Sequence, residues 1–254
     1  MIDNHIHIGQ FKEIYYNPIE IIEIVMEKCD GLCFSSTTTC RKNITYSEVE
    51  KEISHTLNNI KWSVEIVMPF FWYAPSFTKE GIVIEKVMEN FPYKGIKLHP
   101  LAHKWDLTNK KIVDVLHKIF GYAGQNNLPI LIHTGHSGVD SANLFSNFFP
   151  LYPETKVILA HCRPLEEAIS LIHNFPNVYG DTAFVEEEDL QKIIKENLSH
   201  KIILGSDFPV TNYFNNKYPS KYNNRVNSLK DQYDLDFKQL QYFSRLLVAF
   251  HKDC

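Results

Sequence analysis

Residues 128–135 read LPILIHTG, and residues 156–162 read KVILAHC. In both segments a short apolar run rich in Ile, Leu and Val ends in a histidine. Short continuous apolar runs are typical of strands that are buried on both faces, as in a parallel sheet covered by helices. The two segments therefore predict strands of such a sheet, each with a polar side chain near its carboxyl end.

The same pattern recurs along the whole chain, where β-like runs alternate with stretches of helical spacing. We predict strands at residues 1–9, 31–37, 62–70, 93–100, 128–135, 156–162, 177–183 and 201–209, and helices at residues 17–29, 45–60, 78–91, 107–126, 141–149, 164–174, 186–198 and 236–251. Eight strand–helix units are the number that closes a (β/α)8 TIM barrel, and 254 residues is a usual length for that α/β fold. We expect one domain over residues 1–254, with the long polar stretch at 210–235 as a binding loop or lid.

Composition excludes several classes of protein. Lys and Arg number 26 against 30 Asp and Glu, a net charge of −4, which gives no reason to expect a nucleic-acid partner. No apolar run approaches the roughly 20 residues that span a bilayer, so we expect no membrane partner. The five cysteines are odd in number and form no CxxC pair, which favours a reducing, cytoplasmic location. A homodimer is the default expectation for such an enzyme.

Potential metal ligands and bases lie at or near the carboxyl ends of five predicted strands. They are His5 and His7, Lys97 and His99, His133, His161, and Asp207. A barrel brings these strand ends to one rim, and His-x-His on a strand directs both imidazoles to one face. Imidazoles with a carboxylate bind divalent metals, which lower the pKa of bound water from about 15.7 to about 7. Each residue alone is more often a packed or surface side chain, but their conjunction predicts a hydrolytic metal site.

The segments MIDNHIHIG, YKGIKLHP, LPILIHTG, KVILAHC and ILGSDFP, in this order, resemble the amidohydrolase superfamily. The resemblance is to its amidohydrolase 2 branch, also called the aminocarboxymuconate semialdehyde decarboxylase-like branch, and it extends from residue 1 to about residue 209. It implies a TIM barrel with a metal-dependent active site. The branch holds hydrolases, lactonases and non-oxidative decarboxylases, so the resemblance leaves the reaction open.

The resemblance also implies roles for individual residues. His5, His7 and His133 would bind the metal, and Asp207 would be a further ligand or the base that takes a proton from water. His161 would contact the water or the substrate, which makes Asp207 and His161 the catalytic pair. Zinc is the expected metal, with manganese as the alternative. Lys97 would bridge two metals if carboxylated, or hold a substrate carboxylate as an ammonium; we favour one metal per chain.

Several further residues are candidates for binding a small-molecule substrate or for supporting the site. Arg163 directly follows strand six and suits a planar carboxylate, and His99 shares a strand face with Lys97. Asp3 and Asp181 could hydrogen-bond a metal-binding imidazole. The aromatic residues 70–73 would follow strand three and either wall the pocket or pack on the barrel, with packing favoured.

These features predict a metal-dependent hydrolase in which activated water attacks a small ester, lactone or amide that carries a carboxylate. Three alternatives stay open: decarboxylation at the same site, phosphodiester hydrolysis as in TatD-type deoxyribonucleases, and a barrel that binds a metabolite without catalysis. The chain is short for the decarboxylases of the branch. TatD-type enzymes place Glu where Lys97 stands and have Glu-Thr-Asp where residues 205–207 read Gly-Ser-Asp.

Overall fold

A computed structural model describes residues 1–214. Its strands are β1 Ile2–Phe11, β2 Ile14–Tyr16, β3 Gly31–Ser36, β4 Val67–Trp72, β5 Gly95–Leu98, β6 Ile130–His133, β7 Val157–Ala160, β8 Val178–Asp181 and β9 Ile202–Ile203. Its α-helices are α1 Pro18–Met26, α2 Tyr46–Asn59, α3 Ile84–Asn90, α4 Pro100–His103, α5 Lys110–Gln125, α6 Phe148–Leu151, α7 Leu165–Asn174, α8 Glu187–Lys195 and α9 Val210–Phe214. Short 3-10 helices lie at Thr37–Cys40, Pro75–Glu80, Ala142–Phe145 and Ser199–Lys201.

Eight of the strands are parallel and follow one another around a barrel in sequence order, from β1 and β3 to β9. The barrel closes where β1 meets the segment after β9. There Asn4 N donates to the carbonyl of Leu204, His7 N donates to that of Phe208, and Asp207 N donates to that of His5. The fold is thus the predicted α/β TIM barrel, and its closing seam places Asp207 beside His5 and His7.

Side chains alternate along each strand between the barrel interior and the surrounding helices. Leu131 packs inside with Phe70 and Ile158, whereas Ile130 and Ile132 belong to the larger core between the sheet and the helices. Because the period is two residues, the next inward position above Leu131 is His133, at the end of β6. The strands therefore fill the barrel with apolar side chains below and present polar side chains at the rim.

The helices follow their sequence signals. Thr45 caps α2 through a complete capping box with Glu48, as the Thr-x-x-Glu pattern predicts. Asn17 caps α1, and Pro18 occupies its first turn. Within residues 1–214 no helix is long and apolar enough to cross a membrane.

Several details differ from the sequence prediction. The third parallel strand is Val67–Trp72 instead of residues 62–70, because Ile66 N and Val67 N both bond the Ser63 carbonyl and close a turn there. The predicted helix at 78–91 is divided at Gly81, which has φ +73°. The hairpin strand β2 was not predicted. The predicted helix at 236–251 and most of the 210–235 stretch lie outside the described residues.

Candidate metal centre

His5 and His7 project from β1 into the rim of the barrel, where their side chains are buried. Their Nε2 atoms lie 3.2 Å apart. Nδ1 of His5 donates to Oδ2 of Asp181 at 2.7 Å, and Nδ1 of His7 lies 3.3 Å from the carbonyl of Ser35. The Asp181 carboxylate accepts the proton of His5 Nδ1, and the Ser35 carbonyl, which can only accept, favours a proton on Nδ1 of His7, where the Ser35 hydroxyl also lies at 3.1 Å. With its proton on Nδ1, each ring keeps a lone pair at Nε2. Two lone pairs therefore face each other, an arrangement that favours a cation between them.

His161 stands just past β7 and presents a third imidazole in the same way. Its Nδ1 donates to the carbonyl of Ala183 at 3.2 Å, which leaves a lone pair on Nε2. The residue adopts φ +73°, so the chain turns sharply out of the strand at this point. Burial lowers the pKa of both His5 and His161 well below the usual histidine value, with Lys97 adding to the effect on His5 and His133 on His161. Both rings are therefore neutral at neutral pH, as metal ligands must be.

Asp207 supplies the carboxylate. Its Oδ1 lies 2.9 Å from Nε2 of His7 and 3.7 Å from Nε2 of His5, and its Oδ2 lies 3.8 Å from Nε2 of His161. Although Nε2 of His7 is close, Oδ1 is buried and accepts no hydrogen bond of acceptable geometry from the described residues. Burial raises the pKa of Asp207, but the basic side chains around it, which are His5, His7 and Lys97, outweigh burial and bring the pKa to about 2. Asp207 is therefore an anion with a buried, unpartnered oxygen.

These residues fit a divalent metal. One ligand atom from each of His5, His161 and Asp207 lies within 4.8 Å of the others; we call these three residues the ligand cluster. His7 adds a fourth donor beside it. Neutral nitrogen lone pairs and an unpartnered carboxylate oxygen are the donor set of zinc and related ions. A buried anion of this kind is otherwise costly, and a bound cation would offset that cost.

Lys97 reaches the same point from β5. Its Nζ lies 3.0 Å from Nε2 of His5 and 5.9 Å from the centre of the Trp72 ring, and its side chain is 1% exposed. Burial lowers its pKa to about 8. The residue lies inside the candidate centre, as expected for either a metal-bridging or a substrate-binding lysine.

His133 and His99 lie beside the ligand cluster. Nδ1 of His133 is 3.1 Å from Nε2 of His161, whereas its Nε2 faces Asp140 at 3.5 Å. The His133 ring stacks on His99 at 3.8 Å between centroids, and His99 stacks on Trp72 at 5.3 Å. His133, expected as a ligand, therefore lies beside His161, whereas His161, expected to contact the water or the substrate, is a member of the ligand cluster.

A cavity of about 580 Å³ opens above these residues. Its walls are mostly apolar and aromatic, with Phe11, Trp72, Phe184 and Phe214 among them, and Lys97 and Arg163 line it with positive charge. Arg163 donates from Nη2 to the carbonyl of Phe184 at 2.9 Å, and its guanidinium lies 5.6 Å from the centre of the Phe184 ring.

Asp181 and Asp3, both predicted to support a metal-binding imidazole, have different partners. Asp181 bonds the His5 imidazole, as proposed from the sequence, whereas Asp3 accepts the backbone N–H groups of His5 and Ser206. Of the aromatic residues 70–73, Trp72 lines the cavity and Phe71 packs in the outer core. Phe70, Phe71 and Trp72 belong to strand β4, and only Tyr73 of these four residues follows the strand.

Sequence reasoning missed Asp140 and Cys40. Asp140 follows β6 by several residues in a loop with no pattern of its own, and it is held by the N–H and hydroxyl of Ser137. Cys40 lines the cavity from the 3-10 helix after β3. The position of either residue depends on loop geometry, and no sequence signal marks it.

The barrel and its rim of histidines, lysine and aspartate define a class: an α/β-barrel protein with a candidate metal centre. Comparison with known protein families agrees with this class. Residues 57–229 match the model of the family described as Amidohydrolase (Amidohydro_2), so the chain belongs to the amidohydrolase 2 family. The members of this family are enzymes, and the chain is accordingly an enzyme of a generally metal-dependent family. No curated protein matches the sequence.

Solved structures show the same fold across most of the chain. An amidohydrolase 2 from Bifidobacterium longum subsp. infantis shares 16% identity, with 98% of each chain covered and a TM-score of 0.60. A probable 2-pyrone-4,6-dicarboxylic acid hydrolase from Acinetobacter baumannii shares 11%, with 95% and 94% covered and a TM-score of 0.62. The 5-carboxyvanillate decarboxylase of Sphingomonas paucimobilis shares 12%, with 83% and 89% covered and a TM-score of 0.56. At these identities the likeness establishes the fold alone.

Proposed function

We propose that the protein is a metal-dependent hydrolase that attacks a small ester, lactone or amide bearing a carboxylate. One observation carries the proposal: the Nε2 lone pairs of His5, His7 and His161 converge beside the unpartnered Oδ1 of Asp207. A divalent metal held there supplies Lewis acidity and a water of lowered pKa.

The residues of the chain would then position the reactants and move the proton. Asp207, an anion with a free lone pair on Oδ1, is the acceptor for the proton of the attacking water, if it is not itself a ligand. His161 contributes Nε2 either to the metal or to the water. Because its Nδ1 is held by the Ala183 carbonyl, this ring is fixed in the orientation that either role requires.

Substrate recognition would come from three residues that line the cavity. Arg163 presents a planar fork of donors that suits a carboxylate, and Lys97 offers a second positive charge. His99 adds a neutral donor. Its Nδ1 accepts the N–H of Ala102 at 3.2 Å, so the ring proton resides on Nε2, which can donate to a substrate carbonyl oxygen.

We favour one metal per chain, with zinc first and manganese second. The ammonium of Lys97 lies 3.0 Å from Nε2 of His5 and already supplies a positive charge at the edge of the ligand cluster. A carboxylated Lys97 would instead bring a second metal, with His133 and His161 as its nitrogen donors. The metal-to-protein ratio distinguishes these two arrangements.

Decarboxylation at the same site is the second candidate. The specific observation in its favour is the aromatic, mostly apolar wall of the cavity, to which Trp72 and Phe184 contribute, because a planar unsaturated acid would lie well against such rings. One structural neighbour of this fold is a 5-carboxyvanillate decarboxylase and another a probable 2-pyrone-4,6-dicarboxylic acid hydrolase, so both reactions deserve assay.

The test is a product assay on the purified protein, stripped of metal and reloaded with Zn²⁺ or Mn²⁺. Carboxylated lactones and esters are screened for acid release, and aromatic and muconate-type acids for CO₂ release. Asp207→Asn is the inactive control. Hydrolysis by the loaded wild type supports the proposal, and CO₂ as the main product replaces it with decarboxylation.

Two more outcomes address the other classes. Cleavage of single-stranded DNA with Mg²⁺ or Mn²⁺ would indicate a phosphodiesterase, and ligand binding without turnover would indicate a metabolite-binding barrel. A cytoplasmic location, a homodimer and a single domain over residues 1–254 also stay predictions. They are tested by cell fractionation, by light scattering and by limited proteolysis.

A further inference from the structure

Residues 181–183, at the end of β8, bond two members of the ligand cluster, His5 and His161, and the loop that carries the third, Asp207. We call Asp181, Thr182 and Ala183 the 181–183 segment. Asp181 and Thr182 are 0% and 1% exposed, and no residue of the segment lines the cavity. The segment therefore lies behind the cavity wall, where it contacts the residues of the cluster and not the cavity.

Asp181 connects His5 to His161. Its Oδ2 accepts Nδ1 of His5 at 2.7 Å. Its Oδ1 accepts the backbone N–H of His161 at 2.8 Å and that of Ala183 at 3.1 Å. One carboxylate thus fixes the ring of the first histidine and the backbone from which the second one projects.

Ala183 and Thr182 make the remaining hydrogen bonds of the 181–183 segment. The carbonyl of Ala183 accepts Nδ1 of His161 at 3.2 Å, which fixes the orientation of that ring. Oγ1 of Thr182 donates to the carbonyl of Gly205 at 2.9 Å and accepts the N–H of Gly205 at 3.1 Å. This paired hydrogen bond anchors the loop that carries Asp207.

We propose that the 181–183 segment is a positioning element that preorganises His5, His161 and Asp207 for metal binding, with Asp181 and Thr182 as its key side chains. The proposal rests on the proposed metal-dependent function. Outer partners of metal-binding histidines typically change metal affinity 10- to 100-fold when they are removed. Here one short segment holds two such histidines and the loop of the carboxylate ligand.

The two side chains can be tested by nearly isosteric changes. Asp181→Asn keeps the size but not the acceptors, because one amide oxygen cannot serve three donors. Thr182→Val keeps the shape and removes the hydroxyl, whereas Thr182→Ser keeps the hydroxyl. Thr155→Val is the matched control, since Thr155 is buried and donates to the Phe120 carbonyl before the amino end of β7, whereas His161 follows the carboxyl end of that strand.

The measurements are the Zn²⁺ dissociation constant by chelator competition, the visible spectrum of the Co²⁺ form, and urea unfolding of the metal-free protein. We expect Asp181→Asn to weaken Zn²⁺ binding by about 10- to 100-fold and Thr182→Val by about tenfold, each with an altered Co²⁺ spectrum. Thr182→Ser should restore wild-type binding. Thr155→Val should lower only the stability of the metal-free protein.

The outcomes distinguish the proposed positioning role of the 181–183 segment from the proposed metal-dependent function. If the wild type binds Zn²⁺ or Co²⁺ but Asp181→Asn and Thr182→Val bind as tightly as Thr155→Val, the positioning role is wrong and the metal function stands. If the wild type binds no divalent metal, the metal function is wrong and the positioning role with it. Should Asp181→Asn fail to fold, the comparison of Thr182→Val, Thr182→Ser and Thr155→Val decides alone.

Discussion

Gly205→Ala should damage the metal centre through a single added methyl group. Gly205 lies between β9 and Asp207, and a Cβ built on it would stand 2.9 Å from Cβ of His5 and 3.0 Å from Oδ2 of Asp181. Carbon atoms prefer about 3.5 Å or more, so the loop would have to retreat by roughly half an ångström. Neither neighbour can yield easily, because His5 Cβ is fixed to β1 and the Asp181 carboxylate accepts three hydrogen bonds.

Overpacking of this kind costs about 1–3 kcal/mol of unfolding free energy. Urea unfolding of the metal-free protein should show that loss for Gly205→Ala, and Zn²⁺ affinity should fall as well because His5 or the Asp207 loop is displaced. Gly138→Ala is the matched control, since a Cβ there meets nothing within 4 Å. If Gly205→Ala were as stable and bound Zn²⁺ as tightly as Gly138→Ala, the close packing inferred for the centre would be wrong.

Other regions of the protein give three further predictions. Arg163→Met should raise KM for a carboxylate-bearing substrate by about tenfold or more while leaving kcat nearly unchanged, as steady-state kinetics would show; an unchanged KM would remove Arg163 from substrate binding. His103 accepts the indole N–H of Trp72 at 3.0 Å, and burial lowers its pKa to about 4. A histidine whose folded pKa is lowered contributes stability that is full above its unfolded pKa of about 6.5 and is lost as pH falls through about 4. As the pH is lowered from about 6.5 to about 4, the melting temperature of His103→Gln should therefore decline less than that of the wild type. Equal declines would contradict a lowered pKa of His103. Thr45→Ala, which removes the capping box with Glu48, should cost about 1 kcal/mol in urea unfolding, whereas no measurable loss would show that the cap contributes little.

The barrel could be predicted from sequence because its strands carry strong local signals. A continuous apolar run such as Ile130–His133 ends in a histidine, and a capping box begins α2, so both the order of elements and the location of the rim follow from the pattern. Strand ends carry weaker signals. Val67–Trp72 begins later than predicted because a turn at Ser63, set by backbone hydrogen bonds, interrupts a sequence that reads equally well as strand.

The individual roles at the site depend on three-dimensional contacts that no linear pattern encodes. His133 and His161 both end apolar runs, yet only the orientation of their rings shows that His161 lies nearer to His5 and Asp207. Asp140 was missed because it lies in a loop, where its place beside His133 is set by contacts with Ser137.

The most direct test of the account is the metal content of the purified protein. Elemental mass spectrometry should find one divalent ion per chain in the wild type after reloading with Zn²⁺ or Mn²⁺ and removal of free metal. The His5→Ala and Asp207→Ala variants should each lose that ion. The control variant His117→Gln should keep it, because His117 bonds the hydroxyl of Tyr152. A wild type that retains no metal, or an Asp207→Ala variant that retains as much as His117→Gln, would contradict the central claim.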